Sequence, residues 1–401
     1  MRRARPLFIR MRILQVVPYF SWESGGPVRV VYDLAHELAK RDNEVVVYTT
    51  DVGPLHRLNE REKIQLDSRI KIHYFRCVNN WIAQKWRLQL SGQMVSAFRS
   101  STKDFDIIHT HEARGFHNVC VWHYARNYGV PYVFQAHGAL PTALEQQAKT
   151  FVLAKYLSDT LVNRRVVRDA AKAIALTQSE ALLYEQLGVE RNNVTVVPNG
   201  IDLSQFEELP ARGEFRARYN IAGDEKLILF LGRIHKTKGI GLLLTAFSGL
   251  CQEVDNVKLV IVGPDSGYLA RVKEDIKHLG IADRTVLPGP LYGNAKLEAY
   301  VDADAYVLPS SYDMFPLSPI EACACGTPTI VTNRSGVADA IERVGCVIDY
   351  DAGQLQSAMY AILTNAELRE KMKRKGPAMV KERYDIVKIV DNVEKLYRAC
   401  I

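Results

Sequence analysis

Lys226-Leu227-Ile228-Leu229-Phe230-Leu231-Gly232-Arg233-Ile234-His235-Lys236-Thr237-Lys238-Gly239 joins an unbroken apolar run to a basic loop bounded by two glycines. A run without polar alternation reads as a strand covered on both faces, the mark of a parallel sheet flanked by helices. Further runs of this kind follow at 257–263, 285–287, 305–308 and 329–331. Toward the N-terminus they stand at 12–18, 44–50, 70–75, 106–110, 132–135, 173–177 and 194–197. Helical spacing lies between them, as at 28–41 with apolar residues at 31, 34, 35 and 38. The series is interrupted once, at Pro198-Asn199-Gly200-Ile201-Asp202 and a polar stretch with Pro210 and Gly213. Two doubly wound α/β domains joined near residue 200 account for the pattern, with no short-period repeat. A last helix at 385–399 has apolar residues at 386, 389, 390, 393, 396 and 397.

Composition agrees. The 401 residues are two to three times the ~150-residue mode for one domain. At 47% hydrophobic and 24% charged, the chain is neither disordered nor fibrous. No run approaches the ~18 apolar residues of a bilayer-spanning helix. Residues 1–10 read as a ragged extension ahead of Met11. Seven cysteines without a Cys-x-x-Cys spacing point to a reduced, cytoplasmic, metal-free protein. The net charge of +7 is uneven: residues 1–200 hold 27 Lys and Arg against 18 Asp and Glu, a balance of +9, and the rest hold 25 against 27, −2. A basic first half suits an anionic partner, whether a lipid surface, a phosphorylated carrier or an acidic glycan, and equally suits a solvated basic face.

Strand ends and helix starts bind anions in such sheets, because free N–H groups and the helix dipole point there. Gly25-Gly26-Pro27 allows close backbone approach and a proline helix start, but no Gly-x-Gly-x-x-Gly dinucleotide fingerprint stands there. Arg233 and Lys238 are placed to converge on a phosphate, one as a planar fork and one as a point charge. The spacing is not that of a nucleoside triphosphatase loop. In Ser310-Ser311-Tyr312-Asp313-Met314-Phe315-Pro316-Leu317-Ser318-Pro319-Ile320-Glu321, two carboxylates lie eight apart across a loop-to-helix junction. Ser318, Pro319 and Glu321 read as a capping box, leaving the N–H groups near Leu317 and Ser318 for a diphosphate. His137, in Gln135-Ala136-His137-Gly138, ends a strand and is either a scaffold residue or a cleft residue. The Asp302 and Asp304 pair, ahead of a strand, reads as a surface pair and not as a metal site.

Taken in this order and at these separations, Gly25-Gly26, His137-Gly138, Pro198 to Asp202, Gly232-Arg233 to Lys238-Gly239, and Asp313 through Glu321 to Gly326-Thr327-Pro328 resemble the retaining glycosyltransferase family 4. The resemblance covers nearly the whole chain. It implies the GT-B fold, two Rossmann-like domains with parallel sheets facing across a central cleft. It implies an N-terminal acceptor-binding domain over 1–203 and a nucleotide-sugar-binding domain over 204–384. Residues 385–401 would form a C-terminal helix, for which packing back on the N-terminal domain is one option.

The resemblance also assigns roles. Arg233 and Lys238 would clamp the donor diphosphate, and Leu317 and Ser318 would offer it backbone N–H groups. Glu321 resembles the second acid of the family's Glu-x7-Glu motif, which binds the ribose hydroxyls. Asp313 stands in place of the first acid, near the donor sugar, and is one methylene shorter than the usual Glu. Phe315 and Pro316 belong to the same donor loop, and Gly289 would lie against the base. Gly25 and Gly26 would line the phosphate and acceptor side, and His137 would lie near the sugar and the attacking hydroxyl. Catalysis would then rest on His137, Arg233, Lys238 and Asp313, with no metal or cofactor beyond the nucleotide sugar.

The expected activity is transfer of a hexose-type sugar, with retention, from a UDP-sugar ahead of a GDP-sugar to a glycan or lipid-linked glycan. Cell-surface polysaccharide, lipopolysaccharide or glycolipid synthesis would be its setting, with no role for nucleic acid. The alternatives are a nucleotide-sugar epimerase of the same fold and a non-catalytic nucleotide-sugar-binding partner. Trp81, Lys85, Trp86 and Arg87, with Lys149, Lys155, Arg164, Arg165, Arg168 and Lys172 around Phe151, Val152, Leu153, Tyr156 and Leu157, suit peripheral contact with anionic lipid at the inner membrane face, or ordinary helix packing.

Overall fold

The structure is a computed structural model that describes residues 10–22, 25–53, 56–64, 69–86, 88–113, 115–140 and 163–401. The chain divides into two compact units. Unit 1 is Met1–Gly200 with Ile386–Ile401, and unit 2 is Ile201–Asp385.

Unit 1 is built on seven parallel strands: β1 (Arg12–Tyr19), β2 (Glu44–Thr50), β3 (Ile70–Phe75), β4 (Ile107–His111), β5 (Tyr132–Gln135), β6 (Lys172–Ala175) and β7 (Val194–Val196), in the order β3-β2-β1-β4-β5-β6-β7. The apolar strands feed two cores. Ile13, Val17, Val45, Val47 and Ile107 face one side, with Val28, Val31 and Leu34 of the helix Gly26–Lys40. Leu14, Val16, Val46, Tyr48 and Ile108 face the other, with Val121 of the helix Phe116–Tyr128 and Tyr184 of the helix Gln178–Gln186. This two-sided burial is why the runs show no polar alternation.

The last helix, Ile386–Cys400, belongs to unit 1. It buries Ile386, Ile389, Val390, Val393, Leu396 and Tyr397, one stripe at helical spacing, in the same core as the helix Gly26–Lys40. Arg41 anchors it through Asp391 (3.0 Å) and the Val387 carbonyl (2.8 Å).

Unit 2 has six parallel strands: β8 (Lys226–Leu231), β9 (Val257–Val262), β10 (Thr285–Gly289), β11 (Ala305–Leu308), β12 (Thr329–Thr332) and β13 (Cys346–Ile348), in the order β10-β9-β8-β11-β12-β13. The edge strand β13 was not anticipated. Three residues after Gly345 carry too little pattern to read. Asp302 and Asp304, expected at a surface, are buried. Asp304 pairs with Arg216 (3.0 Å) and Arg212 (2.8 Å) and accepts from Leu227 N–H (2.9 Å). Asp302 accepts from the N–H groups of Gly213 (2.5 Å) and Arg216 (2.9 Å). The charge-paired cluster ties the start of β8 to the short helix Glu214–Arg218.

Strand order reverses between β1 and β4 in unit 1 and between β8 and β11 in unit 2. Ligands of doubly wound sheets bind outside the carboxyl ends of the strands at such a reversal. The Gly25 and Gly232–Gly239 loops follow β1 and β8, and Ser310–Phe315 follows β11.

Candidate functional site

In unit 2 the loop after β8 is shaped by Gly239, which sits at φ 71°, where a Cβ would overlap the Pro309 carbonyl oxygen. Only glycine lets the loop lie against the chain leaving β11. The turn Lys236–Lys238 is capped by His235, whose Nδ1 accepts from Thr237 N–H (3.3 Å). The Thr237 carbonyl accepts from Ser311 N–H (2.9 Å), stitching this loop to the one after β11. Lys238 consequently meets Asp313 as an ion pair, each side chain only 14% exposed. Arg233 is exposed and makes no ion pair among the described residues. Burial, then the charges of Arg233 and Lys238, pushes the His235 imidazole below its ordinary pKa. Cationic charge is therefore concentrated on this loop.

Tyr306 of β11 links the remaining pieces. Its hydroxyl lies 3.1 Å from the Leu231 carbonyl and 2.7 Å from Ser318 Oγ. Burial foremost raises its pKa, and the nearby carboxylates of Glu321 and Asp313 add to the rise. The expected capping box does not form. The helix Ser318–Ala324 starts from Leu317 with no side-chain cap, and Ser318 is engaged by Tyr306 instead. Glu321 accepts from Lys296 Nζ (2.8 Å) and the Tyr300 hydroxyl (3.0 Å), so it turns away from the cap position. Phe315 packs edge-on against Tyr384 (5.7 Å), and Pro316 is buried. Gly289 closes β10 at φ 85°, its carbonyl accepting from Gly263 N–H (3.1 Å). Unit 2 thus brings Asp313, Ser318 and Glu321 near one tyrosine, with Lys238 paired to Asp313 and Arg233 near His235.

In unit 1, Gly25 precedes the helix Gly26–Lys40 at φ 92°, without a side-chain cap, and a Cβ on Gly25 or Gly26 would meet nothing within 4 Å. His137 follows β5 at φ 52°. Its loop is pinned from the helix Gln178–Gln186: Glu180 accepts from Gly138 N–H (2.7 Å) and Leu176 N–H (2.7 Å), and the Tyr184 hydroxyl accepts from Ala136 N–H (2.9 Å). Burial raises the Glu180 pKa. His137 Nε2 lies 2.9 Å from His111 Nδ1 at the end of β4, and burial lowers the His137 pKa to about 3.

Sequence reasoning missed Lys296, Tyr300, Tyr306, Glu180, His111 and their partners. Thr177-x-x-Glu180 is a capping signature, with Glu180 N–H bonded to Thr177 Oγ1 (3.1 Å). Lys296 and Tyr300 stand at i, i+4 on one helix face, and His109 and His111 share one face of β4. No local pattern marks Tyr306.

Residues 24–205 match the family model for Glycosyltransferase Family 4, and residues 211–379 match that for Glycosyl transferases group 1. The chain is 26% identical over 347 residues to mannosylfructose-phosphate synthase of Agrobacterium fabrum, covering 81% of this chain and 74% of the relative. It is 26% identical over 326 residues to alpha-monoglucosyldiacylglycerol synthase of Streptococcus pneumoniae, covering 80% and 70%. Among solved structures, sucrose-phosphate synthase from Thermosynechococcus elongatus superposes with a TM-score of 0.80 at 20% identity, over 97% of this chain and 98% of that one. Anabaena HepE in complex with UDP-glucose gives 0.77 at 17%, over 97% and 100%. Two parallel-sheet domains, each with a motif-bearing loop at its strand-order reversal, are matched along their length by these two models, and the chain belongs to glycosyltransferase family 4, with the GT-B fold.

Proposed function

We propose that this glycosyltransferase moves a hexose-type sugar, with retention, from a nucleotide diphosphate sugar to a hydroxyl of a glycan or lipid-linked glycan. UDP is the favoured carrier over GDP. The observation that carries this reading is the Lys238–Asp313 pair at the β8/β11 reversal, with the uncompensated Arg233 on the same loop. As the anomeric bond breaks, negative charge gathers on the departing diphosphate, and fixed cations there stabilise the transition state. Arg233 and Lys238 supply those cations, and the N–H groups of Leu317 and Ser318 add donors. When the diphosphate takes Lys238, Asp313 is released toward the sugar hydroxyls. Glu321, held by Lys296 and Tyr300, presents its remaining lone pairs to the ribose diol, with Gly289, Phe315 and Pro316 shaping the nucleotide side. In unit 1, Gly25 and Gly26 leave room for backbone approach, and His137 faces a substrate hydroxyl. The UDP-glucose complex of a protein with the same fold supports the choice of base.

Arg233→Ala and Lys238→Ala are expected to lower kcat roughly a hundredfold or more. Steady-state turnover of UDP-glucose and GDP-mannose with glycolipid extracts checks this, and unchanged turnover in both variants overturns the clamp. Donor consumed without any acceptor points instead to the epimerase.

We further propose peripheral contact of unit 1 with anionic lipid, in polysaccharide or glycolipid synthesis. Arg164, Arg165 and Arg168 are exposed on a helix that buries Val166 and Val167, and Val78 and Trp81 are exposed. A lipid-acting relative supports the reading. Residues 141–162, with Lys149, Phe151, Val152, Leu153, Lys155, Tyr156 and Leu157, lie outside the described residues, as do Arg87 and the side chains of Lys85 and Trp86. No described helix is long and apolar enough to cross a membrane. Co-sedimentation with phosphatidylglycerol vesicles at low salt is the test, and no binding there removes the proposal.

A further inference from the structure

A chain of buried polar groups runs through unit 1 from the last helix to His137. Tyr397 is fully buried, and its hydroxyl lies 2.6 Å from His109 Nδ1. Gln15, in the middle of β1, donates from Nε2 to that hydroxyl (3.1 Å). The Gln15 Oε1 lies 2.5 Å from His111 Nε2, and His111 Nδ1 lies 2.9 Å from His137 Nε2. Gln15, His109 and His111 are each 0% exposed. Four histidines, His109, His111, His117 and His137, thus crowd the carboxyl ends of β4 and β5 without a carboxylate among their hydrogen-bond partners in the described residues.

The protons can be followed along this chain. Because Gln15 Nε2 donates to Tyr397, its Oε1 is the acceptor on the other side, and His111 must donate from Nε2. Burial pushes the His111 pKa well below its ordinary value, so the ring is neutral and its Nδ1 is bare. A bare Nδ1 needs a donor, and the partner in reach is His137 Nε2, which therefore carries the His137 proton. His137 is neutral for the same reason, and its own Nδ1 is left as an acceptor. That Nδ1 is buried and has no hydrogen-bond partner among the described residues, in a side chain that belongs to a residue only half-buried as a whole. The Tyr397 hydroxyl, having accepted from Gln15, gives its proton to His109 Nδ1. Every bond in the chain then has one donor and one acceptor, and among the described residues one polar atom is left unmet at each end, His109 Nε2 and His137 Nδ1.

We propose that Tyr397, Gln15 and His111 are positioning residues that lock His137 in its Nε2–H tautomer, so that the bare Nδ1 accepts a hydrogen bond from a hydroxyl of the bound substrate. The substrate half of this rests on the glycosyl-transfer reading, and the tautomer half does not. No proton is transferred: the substrate hydroxyl donates to Nδ1 and keeps its hydrogen. Reversing the polarity would put a proton on Nδ1 and turn a donor toward the same hydroxyl. The last helix, reached after the chain has completed unit 2, thereby helps set a side chain at the end of β5.

The experiment is long-range 1H–15N correlation on the full-length protein labelled in histidine, ligand-free, with His137 assigned by His137→Gln. The expected His137 pattern is a protonated Nε2 and a bare Nδ1. Tyr397→Phe, which keeps the ring, and Gln15→Leu are expected to mix the tautomers and to lower kcat for transfer roughly tenfold, about the worth of one hydrogen bond, with donor KM within about twofold. A His137 protonated on Nδ1 in the parent overturns the proposal, as does an unchanged tautomer in both Tyr397→Phe and Gln15→Leu. The tautomer is read without turnover, so a chain that transfers no sugar but shows the locked ring separates failure of the functional reading from failure of the lock. Should Gln15→Leu not fold, Tyr397→Phe still decides it.

Discussion

Lys238 and Asp313, on loops that follow β8 and β11, neutralise each other at the strand-order reversal of unit 2, each side chain 14% exposed. A diphosphate arriving there competes with Asp313 for Lys238. Asp313→Asn is expected to tighten UDP roughly fivefold, a gain of about 1 kcal/mol, while turnover of the UDP-sugar falls. Calorimetric titration with UDP beside steady-state kinetics checks the split. Weaker UDP binding in Asp313→Asn would show that the carboxylate holds Lys238 in place and does not compete. Asp313→Glu, restoring the longer acid, is expected to preserve or raise turnover.

Glu321 is held by Lys296 and Tyr300, so its position does not depend on a ligand. Interactions with a ribose diol are made equally before and during the reaction, and their loss raises KM more than it lowers kcat. Glu321→Gln is expected to raise donor KM about tenfold. With the 2′-deoxy nucleotide sugar, parent and variant should converge. An equal drop for both donors would take the ribose contact away from Glu321.

Gly239 and Gly241 are two residues apart and should respond oppositely to alanine. At Gly239, φ is 71° and a Cβ overlaps the Pro309 carbonyl oxygen, so Gly239→Ala is expected to cost about 2–4 kcal/mol and to displace Lys238. At Gly241, inside the helix Ile240–Leu250, the nearest atom to a Cβ is the Tyr268 hydroxyl at 3.5 Å, an ordinary contact. Gly241→Ala is expected to be neutral or to stabilise by up to about 1 kcal/mol. Urea unfolding measures both, and a similar midpoint for the two variants would contradict the geometry.

Acid should unfold unit 1 through its histidines. Burial lowers His137 to about 3 and His117 to about 4, and holds His109 and His111 well below their ordinary range. Above about pH 7.5 the rings are neutral in both states and contribute nothing. As pH falls below about 6.5, the unfolded chain takes up protons that the folded chain refuses. Stability then drops by up to about 1.4 kcal/mol per pH unit for each such ring. Urea midpoints at pH 7.5 and pH 5, followed by the fluorescence of Trp22 and Trp122 with Trp81 and Trp86 replaced, check the slope. A midpoint that does not move would mean that the rings are solvated.

What the amino-acid sequence determined by itself is local. Continuous apolar runs cannot be half-solvated strands, so residues such as Leu227 to Phe230 dictated parallel sheets covered on both faces, and Pro198 to Asp202 marked where one series ends. The glycines and charges after each run placed Gly25, His137, Arg233, Lys238, Asp313 and Glu321 at strand ends, because loop chemistry is written in residues a few positions apart. Tertiary structure alone decided which distant groups meet. Glu321 and Ser318 looked like a self-contained cap, yet Lys296, Tyr300 and Tyr306 claim them across the fold. Asp302 and Asp304 looked solvated until Arg216 paired with them inside. The apolar stripe at 386–397 announced a buried helix without saying against what, and its Tyr397 reaches Gln15, 382 positions earlier, only because the chain returns to unit 1. A hydrogen bond depends on distance in space and not along the chain, so such pairings leave no periodic trace to read.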